Sequence, residues 1–199
     1  MNENVIPHDH MVKKEDRIKR NGFSPKLIWL TGLSGSGKST LASQLETYLF
    51  NKGIQTYILD GDNVRSGLNR DLDFSDTSRR ENIRRISEVS GLFIDAGLVV
   101  ITAFISPFEE ERQIAKDLVG DINFIEVHVD CPLEVCESRD VKGLYAKARK
   151  GLIPNFTGID SPFEIPANPD VRINTADLSL DESLRILIKE IEPKLKVNE

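Results

Sequence analysis

The chain has 199 residues, with 26 Lys plus Arg against 32 Asp plus Glu, a formal charge of −6. With 39% apolar and 29% charged residues it has the composition of one globular domain, which excludes collagen-like, disordered and disulfide-scaffold chains. The acidic balance excludes a surface built for nonspecific duplex nucleic-acid binding, and no apolar run approaches the roughly 20 residues of a bilayer span.

Residues 1–24 read as a polar arm of mixed charge, closed by Asn21-Gly22, and residues 25–199 as one domain. The arm lacks the apolar core of a signal peptide, and its acids fit a transit peptide poorly, so a cytoplasmic protein is expected. Lys13, Lys14, Arg17, Lys19 and Arg20 are interleaved with acids, the pattern of a solvated face. From Leu27 short apolar runs alternate with amphipathic segments, as in strands joined by crossover helices. The strands are expected at 27–31, 56–60, 99–105, 124–129 and 171–174. Ser78-Arg79-Arg80-Glu81 reads as a capping box before the stripe Ile83, Ile86, Val89 and Phe93. Ser179-Leu180-Asp181-Glu182 reads as another, before Leu184, Leu187, Ile188 and Ile191, with Pro193 as the stop. Residues 141–169 lapse into Gly, Pro, Lys and isolated aromatics. So long a stretch without regular structure predicts a lid loop, since Phe156 and Phe163 are poor residues to leave in water. Cys131 and Cys136 match no zinc or redox spacing, and His8, His10 and His128 add no metal pattern.

The strongest signal is Gly32-Leu33-Ser34-Gly35-Ser36-Gly37-Lys38-Ser39, a full Walker A pattern between an expected strand and an expected helix. Its glycines let backbone N–H groups turn toward an anion, and the helix N-terminus adds partial positive charge. Lys38 reaches the β and γ phosphates of a nucleotide, and the Ser39 hydroxyl can ligate magnesium. The fold expected is therefore a P-loop NTPase, a three-layer α/β/α sandwich with a five-stranded parallel sheet, nucleoside-monophosphate-kinase-like, with a lid. A guanine-nucleotide switch is disfavoured, because Asn51-Lys52-Gly53-Ile54 lacks the base-reading aspartate and lies too early. A kinase binds its second substrate across the carboxyl ends of the strands. Asp60-Gly61-Asp62-Asn63-Val64-Arg65 begins where the second strand ends, so Asp60 and Asp62 can orient magnesium or take a proton from an attacking hydroxyl. Either could instead cap the turn. Arg79 and Asn82, three apart on a helix whose first turn lies at the same edge, can point into the pocket. Arg84 and Arg85 lie deeper and suit an ion pair as well as a ligand. Ser106-Pro107 with Glu109 reads as a helix N-cap, a role compatible with a substrate contact from the same hydroxyl.

Taken together, these blocks resemble the adenylylsulfate kinases. The resemblance rests on Gly32 to Ser39 with Thr40, on Asp60-Gly61-Asp62-Asn63-Val64-Arg65 with Gly67-Leu68-Asn69, and on Glu81-Asn82-Ile83-Arg84-Arg85. It rests also on Ile105-Ser106-Pro107, Lys142-Gly143-Leu144-Tyr145 and Phe156-Thr157-Gly158-Ile159-Asp160. It implies transfer of the ATP γ-phosphoryl group to the 3′-hydroxyl of adenosine 5′-phosphosulfate, giving PAPS and ADP, with Mg2+, in sulfate assimilation. It implies that Lys38, Asp60, Asp62 and Ser106 are catalytic, that Ser39 and Asp60 hold the metal, and that Arg139 packs on the ATP base. It implies that Arg65, Arg79, Asn82, Ile105, Lys142 and Leu144 hold the acceptor, whose adenine lies between Phe74 and Phe156, and that the protein is a homodimer. Ser106 matches a serine recorded as phosphorylated in the family, but direct in-line transfer needs only positioning and electrostatics, so no phosphoserine intermediate is expected. Asp73, Ser78 and Glu109 depart from the usual pattern, and Asp73 beside Phe74 is the departure placed to alter loop geometry. Two alternatives stay open: a P-loop kinase of a sugar acid or nucleoside monophosphate, and a nonenzymatic nucleotide-binding subunit. Intact Lys38, Ser39 and Asp60 argue against the second.

Overall fold

Leu27, Ile28, Trp29, Leu30 and Thr31 are all buried, as a central strand covered on both faces requires. They form β1 (Leu27–Thr31), the middle of a five-stranded parallel sheet in the computed structural model, which describes residues 6, 8–73 and 75–197. The other strands are β2 (Thr56–Asp60), β3 (Val99–Ala103), β4 (Phe124–Asp130) and β5 (Val171–Asn174), in the order β2-β3-β1-β4-β5. Alternation along the strands sends Ile28, Leu30, Ile101, Val127 and Val129 to one face, under α2 (Lys38–Asn51) and α8 (Leu180–Ile191). Leu27, Trp29, Val100 and Phe124 face the opposite way, under α4 (Asp76–Asp95) and α5 (Glu109–Val119). The stripe Ile83, Ile86, Val89 and Phe93 is the side of α4 that meets the sheet.

The remaining helices are α1 (Lys14–Asn21), α3 (Gly61–Ser66), α6 (Leu133–Arg139) and α7 (Leu144–Arg149). Helix α1 is tied to the domain by Asn21 Nδ2 donating to the Gly97 carbonyl at 3.1 Å and Lys14 Nζ to Asn123 Oδ1 at 3.1 Å. Among the described residues no helix is long and apolar enough to cross a membrane.

Three local expectations are corrected. First, α4 starts two residues before Ser78: Ser75 is its N-cap and accepts from Ser78 N at 3.4 Å. Asp73 in turn accepts from Ser75 N and Oγ at 3.0 and 2.6 Å, which sets the chain up for an earlier start. Glu81 is thereby released to pair with Arg84 and Arg85, both at 2.8 Å, and Arg85 also holds Asp71. Second, Ser106 is not an N-cap. Helix α5 begins at Glu109, and its N–H is satisfied by Glu164 Oε2 at 2.7 Å, a cap supplied from a distant segment. Third, residues 141–169 are not devoid of regular structure. Asp140 accepts from Tyr145 N and Ala146 N, both at 3.0 Å, and so nucleates α7, while Thr157 and Ser161 form a bridge. The capping box at Ser179 is present, with Glu182 N donating to Ser179 Oγ at 3.3 Å and Ser179 N to Glu182 Oε2 at 2.9 Å. Cys131 and Cys136 are free and buried, and burial pushes the Cys136 thiol up to about 12, an inert thiol at neutral pH.

Candidate active site

The phosphate loop leaves the sheet where β1 ends and α2 begins. Gly32 takes φ +152, and a Cβ there would lie 2.5 Å from the Val129 carbonyl, so the backbone passes closer to β4 than any side chain permits. Gly35, at φ +76, brings the loop to within 3.0 Å of the Cys136 carbonyl by the same measure. Three contacts from outside hold the loop: Tyr145 OH donates to Ser34 O at 2.9 Å, Thr175 Oγ1 to Ser36 O at 2.8 Å, and Arg139 to Gly35 O at 3.2 Å. Ser36 Oγ is buried with no hydrogen-bond partner among the described residues. Lys38 Nζ donates to Gly32 O at 2.8 Å and Leu33 O at 2.7 Å, and burial pushes its pKa down to about 8. A buried ammonium beside a glycine-rich turn and a helix N-terminus fits a polyphosphate chain, whose charge would offset that burial. Thr40 lies on the exposed first turn of α2.

At the same edge, Asp60 ends β2 and does two things. Its Oδ2 accepts from Ser39 Oγ at 2.6 Å, and its Oδ1 accepts from Asp62 N at 3.1 Å, capping α3. The capping expectation for Asp60 is met through one carboxylate oxygen, while the other faces Ser39. A hydroxyl and a carboxylate side by side are hard oxygen donors that fit magnesium. Among the described residues no three His, Cys, Asp or Glu side chains form a metal cage. Asp62 pairs with Lys142, bringing the lid segment over α3.

Arg65 donates to the Leu72 and Asp73 carbonyls at 3.3 and 3.0 Å, and burial together with the neighbouring Arg79 guanidinium lowers its pKa. Two like charges held near each other are the electrostatic form of an anion site. Arg79 also donates to Asn155 O at 2.7 Å, which places Phe156 beside the start of α4. The Phe156 ring is buried at 7% exposure, edge-on to Tyr145 with centroids 5.0 Å apart. Leu144 packs in the same cluster. Asn82 is buried and accepts from Asn69 Nδ2 at 2.8 Å, so it braces the turn after α3. Ile105 accepts from Thr31 Oγ1 at 2.7 Å through its carbonyl, and Ser106 Oγ lies 3.0 Å from Thr31 Oγ1. Phe74 lies outside the described residues. Arg139, at the end of α6, reaches Thr175 O at 2.6 Å after β5. A cavity of about 640 Å³ lies beside the loop, lined by Leu33, Asp130, Leu133, Ile159 and Phe163, but none of Lys38, Asp60, Arg65 or Arg79 borders it. The charged groups converge on an open rim instead.

Thr31 and Thr175 were not singled out from sequence, and Tyr145 entered only within the Lys142-Gly143-Leu144-Tyr145 block, with no role of its own. Thr31 and Thr175 had one available signal, their position at the carboxyl end of a strand.

The sequence profile of the adenylylsulphate kinases matches residues 24–174. The chain belongs to the adenylylsulphate kinase family. Its similarity to the adenylyl-sulfate kinase of Geotalea daltonii is 53% identity over 195 residues, 98% of this chain and 96% of that one. To the adenylyl-sulfate kinase of Yersinia pestis it is 57% over 176 residues, 88% and 83% of the two chains. The structure of the Mycobacterium tuberculosis APS kinase in complex with AMPPNP and APS superposes with a TM-score of 0.82 at 51% identity, covering 85% of this chain and 98% of that one. The chain thus shares that structure's fold over 85% of its length.

Proposed function

We propose that the chain is an adenylyl-sulfate kinase, transferring the γ-phosphoryl group of ATP to the 3′-hydroxyl of adenosine 5′-phosphosulfate to give PAPS and ADP in sulfate assimilation. The observation that carries this reading is the meeting of Lys38 and the Ser39–Asp60 pair, 2.6 Å apart, with the Arg65 and Arg79 guanidiniums on one edge of the sheet. Lys38 and the loop N–H groups bind the β and γ phosphates, and Arg139 packs on the ATP base. Ser39 and Asp60 would hold magnesium, which would supply charge neutralisation for the phosphates. Arg65 and Arg79 hold the phosphosulfate, and Phe74 and Phe156 stack on its adenine, gaining area without base-specific hydrogen bonds. Asp60 orients the attacking hydroxyl, Asp62 is the second carboxylate at the rim, and Lys142 brings the lid over both. Little base strength is required, because the transition state is loose and catalysis is mostly alignment and charge.

Acceptor competition tests the reading. Purified protein with ATP and magnesium is offered adenosine 5′-phosphosulfate, AMP and a sugar acid in parallel, and products are separated by chromatography. ADP formed only with the first, in step with PAPS, is expected. Phosphorylation of another acceptor, or tight nucleotide binding by calorimetry without turnover, would contradict it. The same reading makes the enzyme a cytoplasmic homodimer. Light scattering should give about twice the 22.4 kDa chain mass, and a monomer or larger ring would contradict that part alone.

A further inference from the structure

Ser106 takes φ +37, in the left-handed region of the backbone map. A side-chain-bearing residue adopts that conformation under strain and keeps it only where its surroundings enforce it. Here the enforcement comes from two sides. From β1, Trp29 Nε1 donates to Ser106 Oγ at 3.0 Å, Ser106 Oγ donates to Thr31 Oγ1 at 3.0 Å, and Thr31 donates to Ile105 O at 2.7 Å. From α5, Arg112 donates through NH1 to Ser106 O at 2.9 Å and through Nε to Glu126 of β4 at 2.8 Å. Ser106 and Arg112 are each 3% exposed.

A buried ion pair is weak evidence for stability, since apolar residues of similar volume do as well or better. What the guanidinium supplies here is direction: a rigid fork that reaches one carboxylate and one carbonyl at a fixed angle. The carbonyl belongs to the turn between the phosphate loop, which follows Thr31, and Asp60, whose neighbour Gly61 lies against Phe104. The lid segment is fastened to the same turn by Glu164 N donating to Pro107 O at 2.8 Å.

We propose that Arg112 is a positioning residue: with Glu126 on one side and Trp29 on the other, it locks the Ile105-Ser106-Pro107 turn in the orientation that receives the acceptor nucleotide. This assignment rests on the adenylyl-sulfate kinase reading above. The Ser106 hydroxyl is a member of the lock and not a phosphoryl carrier. Phosphorylating Oγ would remove the proton it donates to Thr31 and put a dianion against the indole in a closed site.

The test compares Arg112→Lys, which keeps the charge on Glu126 but loses the fork, and Trp29→Phe, which keeps an aromatic ring but loses the N–H and some buried volume. Ile86→Val serves as a core control on the same face of the sheet. Michaelis constants for both nucleotides and thermal midpoints are measured for each, and the masses of the intact chain and of its Ser106 peptide after incubation with ATP alone are measured for the wild type. Arg112→Lys should raise KM for adenosine 5′-phosphosulfate about tenfold or more, the scale of a lost charged hydrogen bond, and leave KM for ATP within about twofold. Trp29→Phe should move in the same direction by about threefold to tenfold. The control should lower the midpoint without changing the ratio of the two constants. Equal rises in both constants, a midpoint loss with the ratio unchanged, or one added phosphate on the Ser106 peptide would overturn the proposal. If Arg112→Lys does not fold, Trp29→Phe decides alone. Wild-type protein inactive on this acceptor defeats the reading of function. Active wild type with variants of unchanged acceptor KM defeats only this inference.

Discussion

In the proposed mechanism Lys38 is the residue on which nucleotide binding turns, and its burial should make that binding pH-dependent. The unfolded chain holds the ammonium proton up to 10.5, whereas the folded protein releases it near 8. Between those values the unfolded state binds more protons, so stability rises with pH through the window, and the full penalty applies below about 8. Thermal midpoints of the free protein should therefore respond to pH across this range, and Lys38→Met should flatten that response. Binding has the opposite sign, because the phosphates need the charged form. The kcat/KM for ATP should fall as pH rises through about 8, and an unchanged rate up to pH 10.5 would contradict the role of Lys38. Lys38→Ala should keep the circular dichroism of the parent and lose turnover by about a thousandfold or more, the scale of a lost transition-state charge contact. Gly32→Ala should lose ATP binding as well, since its Cβ would stand 2.5 Å from the Val129 carbonyl.

At the scale of elements, legibility followed the range of the interaction. The strands at 27–31, 56–60 and 171–174 match their expected bounds because each is a short run rich in Ile, Val or Leu closed by polar or glycine residues. Strand β3 stops at Ala103, before the expected 105, because the chain after Phe104 swings into the Ser106 turn. Helix α4 was readable from its apolar stripe, but its start was not. Two capping serines stand three residues apart, and Asp73 decides between them through its bonds to Ser75. Ser75→Ala should accordingly destabilise the protein by about 1 kcal/mol in urea unfolding, the usual cost of a lost N-cap. Six-residue α7 was hidden in the lid, because so short a helix shows no period and its cap, Asp140, lies outside it. The Walker loop and the Asp60 block were legible because their chemistry is written in adjacent residues. Trp29 was not, because it meets Ser106 across 77 positions, and Arg112, only six residues from Ser106, was not, because its direction is set by Glu126 of β4.

For the whole molecule, the fold's contribution is to deliver separate chain segments to one edge of a parallel sheet, where β1, β2 and β3 end together. Ligands that bind only this assembled edge must stabilise the whole domain by mass action. ATP with magnesium at about a hundred times its dissociation constant should add about 2.7 kcal/mol, read as a raised thermal midpoint, and chelation of magnesium should remove much of it. The central claim is that the two nucleotides meet there and the phosphoryl group passes directly between them. Its most direct test is the stereochemical course of transfer from ATP made chiral at the γ-phosphorus with oxygen isotopes. A single in-line displacement predicts inversion of configuration in the PAPS formed. Retention would mean two displacements through an enzyme-bound phosphate, and would contradict direct transfer across the rim.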